Sequence, residues 1–300
     1  MWREITAVDP SRNALFALTP DQRALSVQIG PGRILAIATK RPLWRKELRI
    51  PQDTVRATVS PGGDAVVFNQ DQMVLREPVR ATHVVTGRVR GLSYAPDGSV
   101  VVITHSEPGA LCLTVLDGVS FRQVASVRVP CSGEGPHVLS WKVDSCDLCV
   151  GTIISQEGAD CSVFRLGGGR CDLVRRFVVS GEVTHVAVCS TESRLAAAVT
   201  FREIIVCPEF EAQPPLNLPD DLVVCGRPDL VEGDLIVPAF SENAGETVLL
   251  HCDVKQAEIR EREVVARDNW EVQVQGAFLR CWRTRRDAVL FARHDAEFAW

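Results

Sequence analysis

The chain has 300 residues, 46% of them hydrophobic, and a formal charge of −5 with a pI near 5.8. This length and apolar content can bury a large core. The acidic balance excludes a protein held to nucleic acid by overall charge, and no apolar run is long enough for a helical membrane span.

The eleven cysteines are odd in number and scattered. Most sit in apolar runs such as Val188-Cys189 and Val223-Val224-Cys225, and they read as small buried hydrophobes. The N-terminal Met1-Trp2-Arg3-Glu4-Ile5 lacks the basic and apolar regions of a secretory signal, and there is no Asn-x-Ser/Thr sequon. The expectation is a reduced intracellular compartment, cytoplasmic or nuclear, with no membrane contact.

Taken in chain order, Trp2 to Val8 reads as a strand with no partner nearby in sequence. A pattern then recurs: an apolar strand, a Pro/Asp/Gly turn, and at once a second apolar strand. The strong copies are Phe16 to Asp21, Ala57 to Asp64 and Leu92 to Ser99. In the last, Leu92-Ser93-Tyr94-Ala95-Pro96-Asp97-Gly98-Ser99 runs straight into Val100-Val101-Val102-Ile103. Pro sets the dihedral of the first central turn position, and Asp and Gly tolerate the later ones, so each copy is a hairpin corner. Weaker copies lie at Trp141 to Ser145, Cys189 to Ser193, Gly226 to Asp229 and Trp282 to Asp287.

These corners recur about every 44 residues, the period of a four-stranded propeller blade. The predicted fold is all-β: one seven-bladed β-propeller spanning residues 1–300, with blades at about 14–51, 54–86, 89–130, 137–180, 183–218, 222–266 and 272–300. The last blade runs out after a third strand at Ala296 to Trp300. Pairing Trp2 to Val8 (residues 2–8) beside it would complete that blade and remove two exposed edges.

The corners and the period resemble those of the WD40-like propeller superfamily across essentially the whole chain. Neither the Gly-His nor the Trp-Asp dipeptide of strict repeats occurs, so the hydrogen-bond network those residues form does not carry over. The resemblance implies a rigid disc that binds other proteins.

Candidate chemistry is sparse. Cys146-Asp147-Leu148-Cys149 has half the spacing of a zinc site, without a second ligand pair. Leu166-Gly167-Gly168-Gly169-Arg170 lacks the Lys-Ser/Thr of a phosphate loop and reads as a hairpin. The histidines, His83, His105, His137, His185, His251 and His294, show no close pairing. His105 and His294 are each expected to open a loop between second and third strands. Lys40 to Lys46 carries Trp44 among basic residues. It reads as protection of an edge strand rather than a nucleic-acid site. No catalytic residue, metal ligand or cofactor is assigned.

Sorting the loops by face predicts one acidic face. Its partner-binding residues are Asp71, Glu107, Glu157, Asp160, Glu203, Glu242, Glu246, Asp295 and Glu297, placed between second and third strands. The resulting expectation is a non-catalytic scaffold, a monomeric propeller within a hetero-complex, whose acidic face binds a basic peptide or domain. The alternative is a lactonase-like enzyme or a small-ligand or metal binder at the acidic mouth of the channel. That reading requires carboxylates and histidines from several blades, including His105, His294, Glu107 and Asp295, to converge on one cavity.

Overall fold

The computed structural model describes residues 2–298 except 11–14, 69–72, 78–80, 85–87, 132–134, 142–146, 155–157, 189–194, 209–213 and a few single or paired positions. The described strands form seven sheets, five of four strands and two of five. Sheet one holds Phe16–Leu18, Ala24–Gly30, Arg33–Ala38 and Arg45–Arg49. Sheet two holds Arg56–Val59, Ala65–Phe68, Met73–Glu77 and Ala81–Val84. Sheet three holds Arg88–Tyr94, Val100–Glu107, Ala110–Asp117 and Gln123–Pro130.

Sheet four follows with His137–Trp141, Asp147–Ile154, Gly158–Gly167 and Arg170–Ser180. Sheet five has His185–Val188, Leu195–Val199, Glu203–Pro208 and the short Leu216–Asn217. Sheet six is built on Leu222–Val224, Asp234–Ser241, Glu246–Asp253 and Glu258–Ala266, with Asp229–Val231 also pairing to its second strand. Sheet seven comprises Glu271–Gln275, Phe278–Thr284 and Asp287–Arg293 beside Trp2–Val8, and Gly226–Arg227 joins it from the preceding sheet.

The apolar clusters lie between consecutive sheets. Ile34, Ala36, Ile50 and Val59 join sheets one and two, and Val102, Leu113, Leu148 and Phe164 join three and four. Ala197, Ile204, Leu235 and Leu250 join five and six, while Phe16, Leu25, Phe278 and Leu290 join seven back to one. Burying one such Leu, Ile or Phe contributes about 2 kcal/mol, so each sheet depends on both its neighbours. First strands touch between sheets two and three, three and four, four and five, and seven and one. This is a β-propeller, with first strands innermost. Among the described residues no helix is long and apolar enough to cross a membrane.

The Pro-Asp-Gly corner works as its chemistry requires. Asp97 Oδ1 accepts from the Ser99 amide at 2.9 Å and its hydroxyl at 2.7 Å, the Gly98 amide donates to the Ala95 carbonyl, and Gly98 holds φ at 73°. The glycine run is the expected hairpin, with Gly168 and Gly169 both at positive φ.

Three sequence expectations are corrected. Trp2–Val8 does complete the last sheet, but its partner is Asp287–Arg293, with Trp2 opposite Arg293 and Val8 opposite Ala288. The strand before that, Phe278–Thr284, is the second and not the first, because Glu271–Gln275 precedes it with Val272 and Val274 fully buried. The sequence between Gln275 and Phe278 carries no Pro-Asp signal, which hid this strand. As a result the corner Trp282 to Asp287 lies between second and third strands, and the described part of Ala296 to Trp300 forms no strand.

Gly226 to Asp229 is likewise not a corner. Gly226 and Arg227 pair in parallel with Val272 and Gln273 of the next sheet, and a Cβ on Gly226 would stand 1.7 Å from the Val272 carbonyl oxygen. Only glycine permits that approach. Gly226→Ala should therefore cost about 2 kcal/mol of stability, read as a lower urea midpoint with an unchanged m-value.

Candidate partner face and channel mouth

The face with the predicted acidic residues carries the turns between second and third strands and the segments that join consecutive sheets. Three turns on this face are tied together where sheets five and six meet. The Glu242 amide donates to the Asp221 carbonyl at 2.8 Å, the Leu218 amide to the Arg202 carbonyl at 2.9 Å, and Arg202 Nη1 to the Asp220 carbonyl at 3.2 Å. The Ser241 hydroxyl donates to the Asp221 carboxylate at 2.8 Å, and the Thr200 hydroxyl accepts from the Glu203 amide at 2.9 Å. These bonds hold Glu203, Asp220, Asp221, Glu242 and Glu246 in one stretch of surface. Asp220 and Glu242 are exposed, and the other three are half-buried.

The remaining predicted acids behave differently. Asp160 is a correction: it lies inside the strand Gly158–Gly167, 3% exposed, and Arg176 grips both its oxygens, Nε at 2.9 Å from Oδ1. A buried, bidentate carboxylate has little left to offer a partner. Asp295 is a second correction. It follows the third strand of sheet seven, at the end where Trp2 pairs, and so belongs to the opposite face. Arg293 Nη2 lies 2.8 Å from its Oδ2, and that hydrogen bond holds its carboxyl below the usual range. Glu107 is ion-paired to Arg128 at 3.2 Å and Glu246 to Arg267 at 4.0 Å. Asp71, Glu157 and Glu297 lie outside the described residues.

The same change of strand order separates the two histidines. His294 is exposed on the opposite face, whereas His105 is buried within Val100–Glu107 and faces Cys112 across the sheet. His105, Glu107 and Cys112 offer ligand atoms within 4.8 Å of one another, a donor set suited to zinc. Glu107 is committed to Arg128, and burial pushes the Cys112 thiol up and the His105 imidazole down. Among the described residues no such cluster draws on more than one sheet, so the convergence required by the enzyme reading is not found there.

Cys149 is fully enclosed and burial pushes its thiol up to about 12, the opposite of a redox-active cysteine; Cys146 lies outside the described residues. In the basic run, Lys46 folds back, donating from Nζ to the Gly62 carbonyl at 2.6 Å and standing 5.4 Å from the Trp44 ring. The run leads into Arg45–Arg49, the outermost strand of sheet one.

No family model matches the chain, and no curated protein matches it in sequence. Solved structures do. A chain in the crystal structure of the mitotic checkpoint complex aligns with a TM-score of 0.64 at 12% identity, covering 98% of this chain and 94% of that one. The WD40 β-propeller domain of Doa1 aligns at 0.61 and 9% identity, over 98% of both chains. The fold is a WD40-like β-propeller. A chain of Kuenenia stuttgartiensis hydrazine synthase also aligns, at 0.62 and 12% identity over 98% and 99%, so this architecture does not by itself fix a function.

The sequence reading missed what the first strands bring to the mouth of this WD40-like propeller. Arg56, Arg88 and Arg90 stand at the starts of the first strands of sheets two and three, and Arg227 lies between Leu222–Val224 and Asp229–Val231 of sheet six, paired in parallel to the first strand of sheet seven. In the sequence the first three look like ordinary linker charges. Their shared position, just after the link from the preceding blade, was the available signal.

Proposed function

We propose that the chain is a non-catalytic protein-interaction scaffold, a subunit of a multiprotein complex, and that its seven sheets are the blades of one closed ring. The acidic surface at sheets five and six is its docking site for a basic peptide or domain. The observation that carries this reading is the hydrogen-bonded junction of three turns, which presents Glu203, Asp220 and Glu242 on a fixed backbone. Carboxylates held in place attract and orient a basic partner with little further ordering cost. A structural neighbour taken from the mitotic checkpoint complex supports a role in an assembly. The cysteine placement supports a reducing, intracellular setting, since Cys149, Cys225 and Cys252 carry thiols and not disulfides.

The test is affinity purification of the tagged chain beside the Glu203→Lys/Glu242→Lys variant. Proteins recovered with the parent chain should be depleted about ten-fold with the variant, and should elute as salt is raised. Undiminished recovery with the variant, or recovery insensitive to salt, contradicts this docking site.

A further inference from the structure

The second and third strands of sheet three, Val100–Glu107 and Ala110–Asp117, pair without a break in register and turn through Pro108-Gly109, with Gly109 at φ 69°. Side chains alternate between the two faces of a strand, so Val101, Ile103, His105 and Glu107 share one face. Val101 and Ile103 pack in a buried apolar cluster with Val89, Tyr94, Leu116 and Phe121. The next position in that row is a histidine. His105 is 6% exposed, and its Nδ1 is buried with no hydrogen-bond partner among the described residues. A buried polar nitrogen left unsatisfied costs free energy that another aliphatic side chain would avoid.

Two further ligand types meet this imidazole. Cys112 stands directly opposite His105 and is 5% exposed, and Glu107, two residues on, is long enough to cover the diagonal to Cys112. One ligand atom from each of the three lies within 4.8 Å of the other two. Donors around a tetrahedral zinc stand about 3.5 Å apart, so small side-chain rotations close the set. Arg128, opposite Cys112 on the fourth strand, pairs with Glu107 at 3.2 Å. Its side chain is largely exposed, and an ion pair in such contact with water contributes little, so Glu107 gives it up readily.

A thiol and an imidazole select zinc over magnesium or calcium, and a thiolate with a carboxylate balances the two charges of the ion. We propose that His105, Glu107 and Cys112 form a binding site for one zinc ion, with water in the fourth position, which clamps the turn between the second and third strands of sheet three. The ion takes a lone pair from an imidazole nitrogen, one Glu107 oxygen and the Cys112 sulfur, and the thiol proton passes to solvent. The apolar cluster beside the site shields one side of it from water. The site is on a different sheet from the acidic junction: its failure would leave partner capture at Glu203 and Glu242 untouched, and the reverse also holds.

The test titrates the reduced, chelator-treated full chain, carrying no polyhistidine tag, with zinc against a competing chromophoric chelator, and with cobalt followed by absorption. Zinc should bind one to one with release of about one proton, and magnesium and calcium should not displace it. Cobalt should show the sulfur-to-metal charge-transfer band of a thiolate ligand. Losing an outer partner of a metal ligand alone costs about 10- to 100-fold in affinity, so Cys112→Ser and His105→Gln should each weaken zinc binding about 100-fold or more. Cys112→Ser should also abolish the cobalt band. Glu107→Gln, at a half-exposed position that does not threaten the fold, should weaken binding about ten-fold or more. Cys171→Ser, in the outer strand of sheet four, should bind as the parent does. No one-to-one zinc binding, a cobalt spectrum without the thiolate band, or unaltered affinity in Cys112→Ser or Glu107→Gln overturns the proposal.

Discussion

Arg280→Ala is expected to lower the unfolding free energy by about 3 kcal/mol or more, measured by urea denaturation. Arg280 is in the second strand of sheet seven and fully buried, one of the largest side chains enclosed by the protein. Its Nη2 donates to the carbonyl of Asp9, and its guanidinium lies 4.3 Å from the Trp282 ring centroid. Trp282 in turn donates from Nε1 to the Pro10 carbonyl at 2.9 Å. Asp9 and Pro10 are the residues through which the closing strand Trp2–Val8 hands over to sheet one, and the Asp9 amide donates to the Gln28 carbonyl at 2.9 Å. Arg280 therefore ties the last sheet to the first. Burial draws its guanidinium down to about 10, with Asp9 and Glu271 opposing, so it remains charged at neutral pH. Alanine would leave a cavity and an abandoned carbonyl. Arg280→Met keeps most of the volume, and recovery of full stability in that variant would show that packing alone accounts for the effect.

The second large effect is a pH dependence centred on His137. Its Nδ1 is 3.0 Å from the Thr104 hydroxyl on the neighbouring sheet, its Nε2 3.5 Å from that of Ser106, and the residue is 6% exposed. Burial, then the charges of Arg90, Arg56 and His105, bring its imidazole down to about 3. The unfolded chain takes up this proton near pH 6.5, whereas the folded chain refuses it until about pH 3. Between those values the unfolded state holds more protons, so stability rises with pH through the window, is fully present above it, and is lost as pH falls. The slope from this one group is about 1.4 kcal/mol per pH unit, amounting to a few kcal/mol by pH 4. Urea midpoints at pH 7.5, 6.5, 5.5 and 4.5 should fall steadily for the parent chain below 6.5. In His137→Gln that component should vanish, so the two curves converge on acidification. Parallel curves would show that His137 titrates normally.

Much of the architecture is legible in the residues. Pro96-Asp97-Gly98 specifies its corner through turn chemistry that is entirely local, and the mean spacing of such corners carries the repeat. Where the sequence between two strands lacks that chemistry, as between Gln275 and Phe278, the strand before it goes unread and everything downstream in that sheet shifts by one position. Asp295 and His294 thereby changed face. Asp160 failed for a different reason: its burial depends on Arg176, its neighbour on the next strand, and sequence spacing alone does not reveal that an acid has a bidentate partner. Arg56, Arg88 and Arg90 were visible one by one, but their nearness depends on the first strands of sheets two and three lying side by side.

The proposed docking face is the acidic junction where sheets five and six meet. Hydrogen exchange of the chain, alone and bound to its captured partner, tests it most directly. Slowed exchange should be confined to the turns at 200–203, 218–222 and 241–246, with the hairpin at 167–170 on the opposite face unchanged. Protection at that hairpin, with none at the three turns, would contradict the docking face.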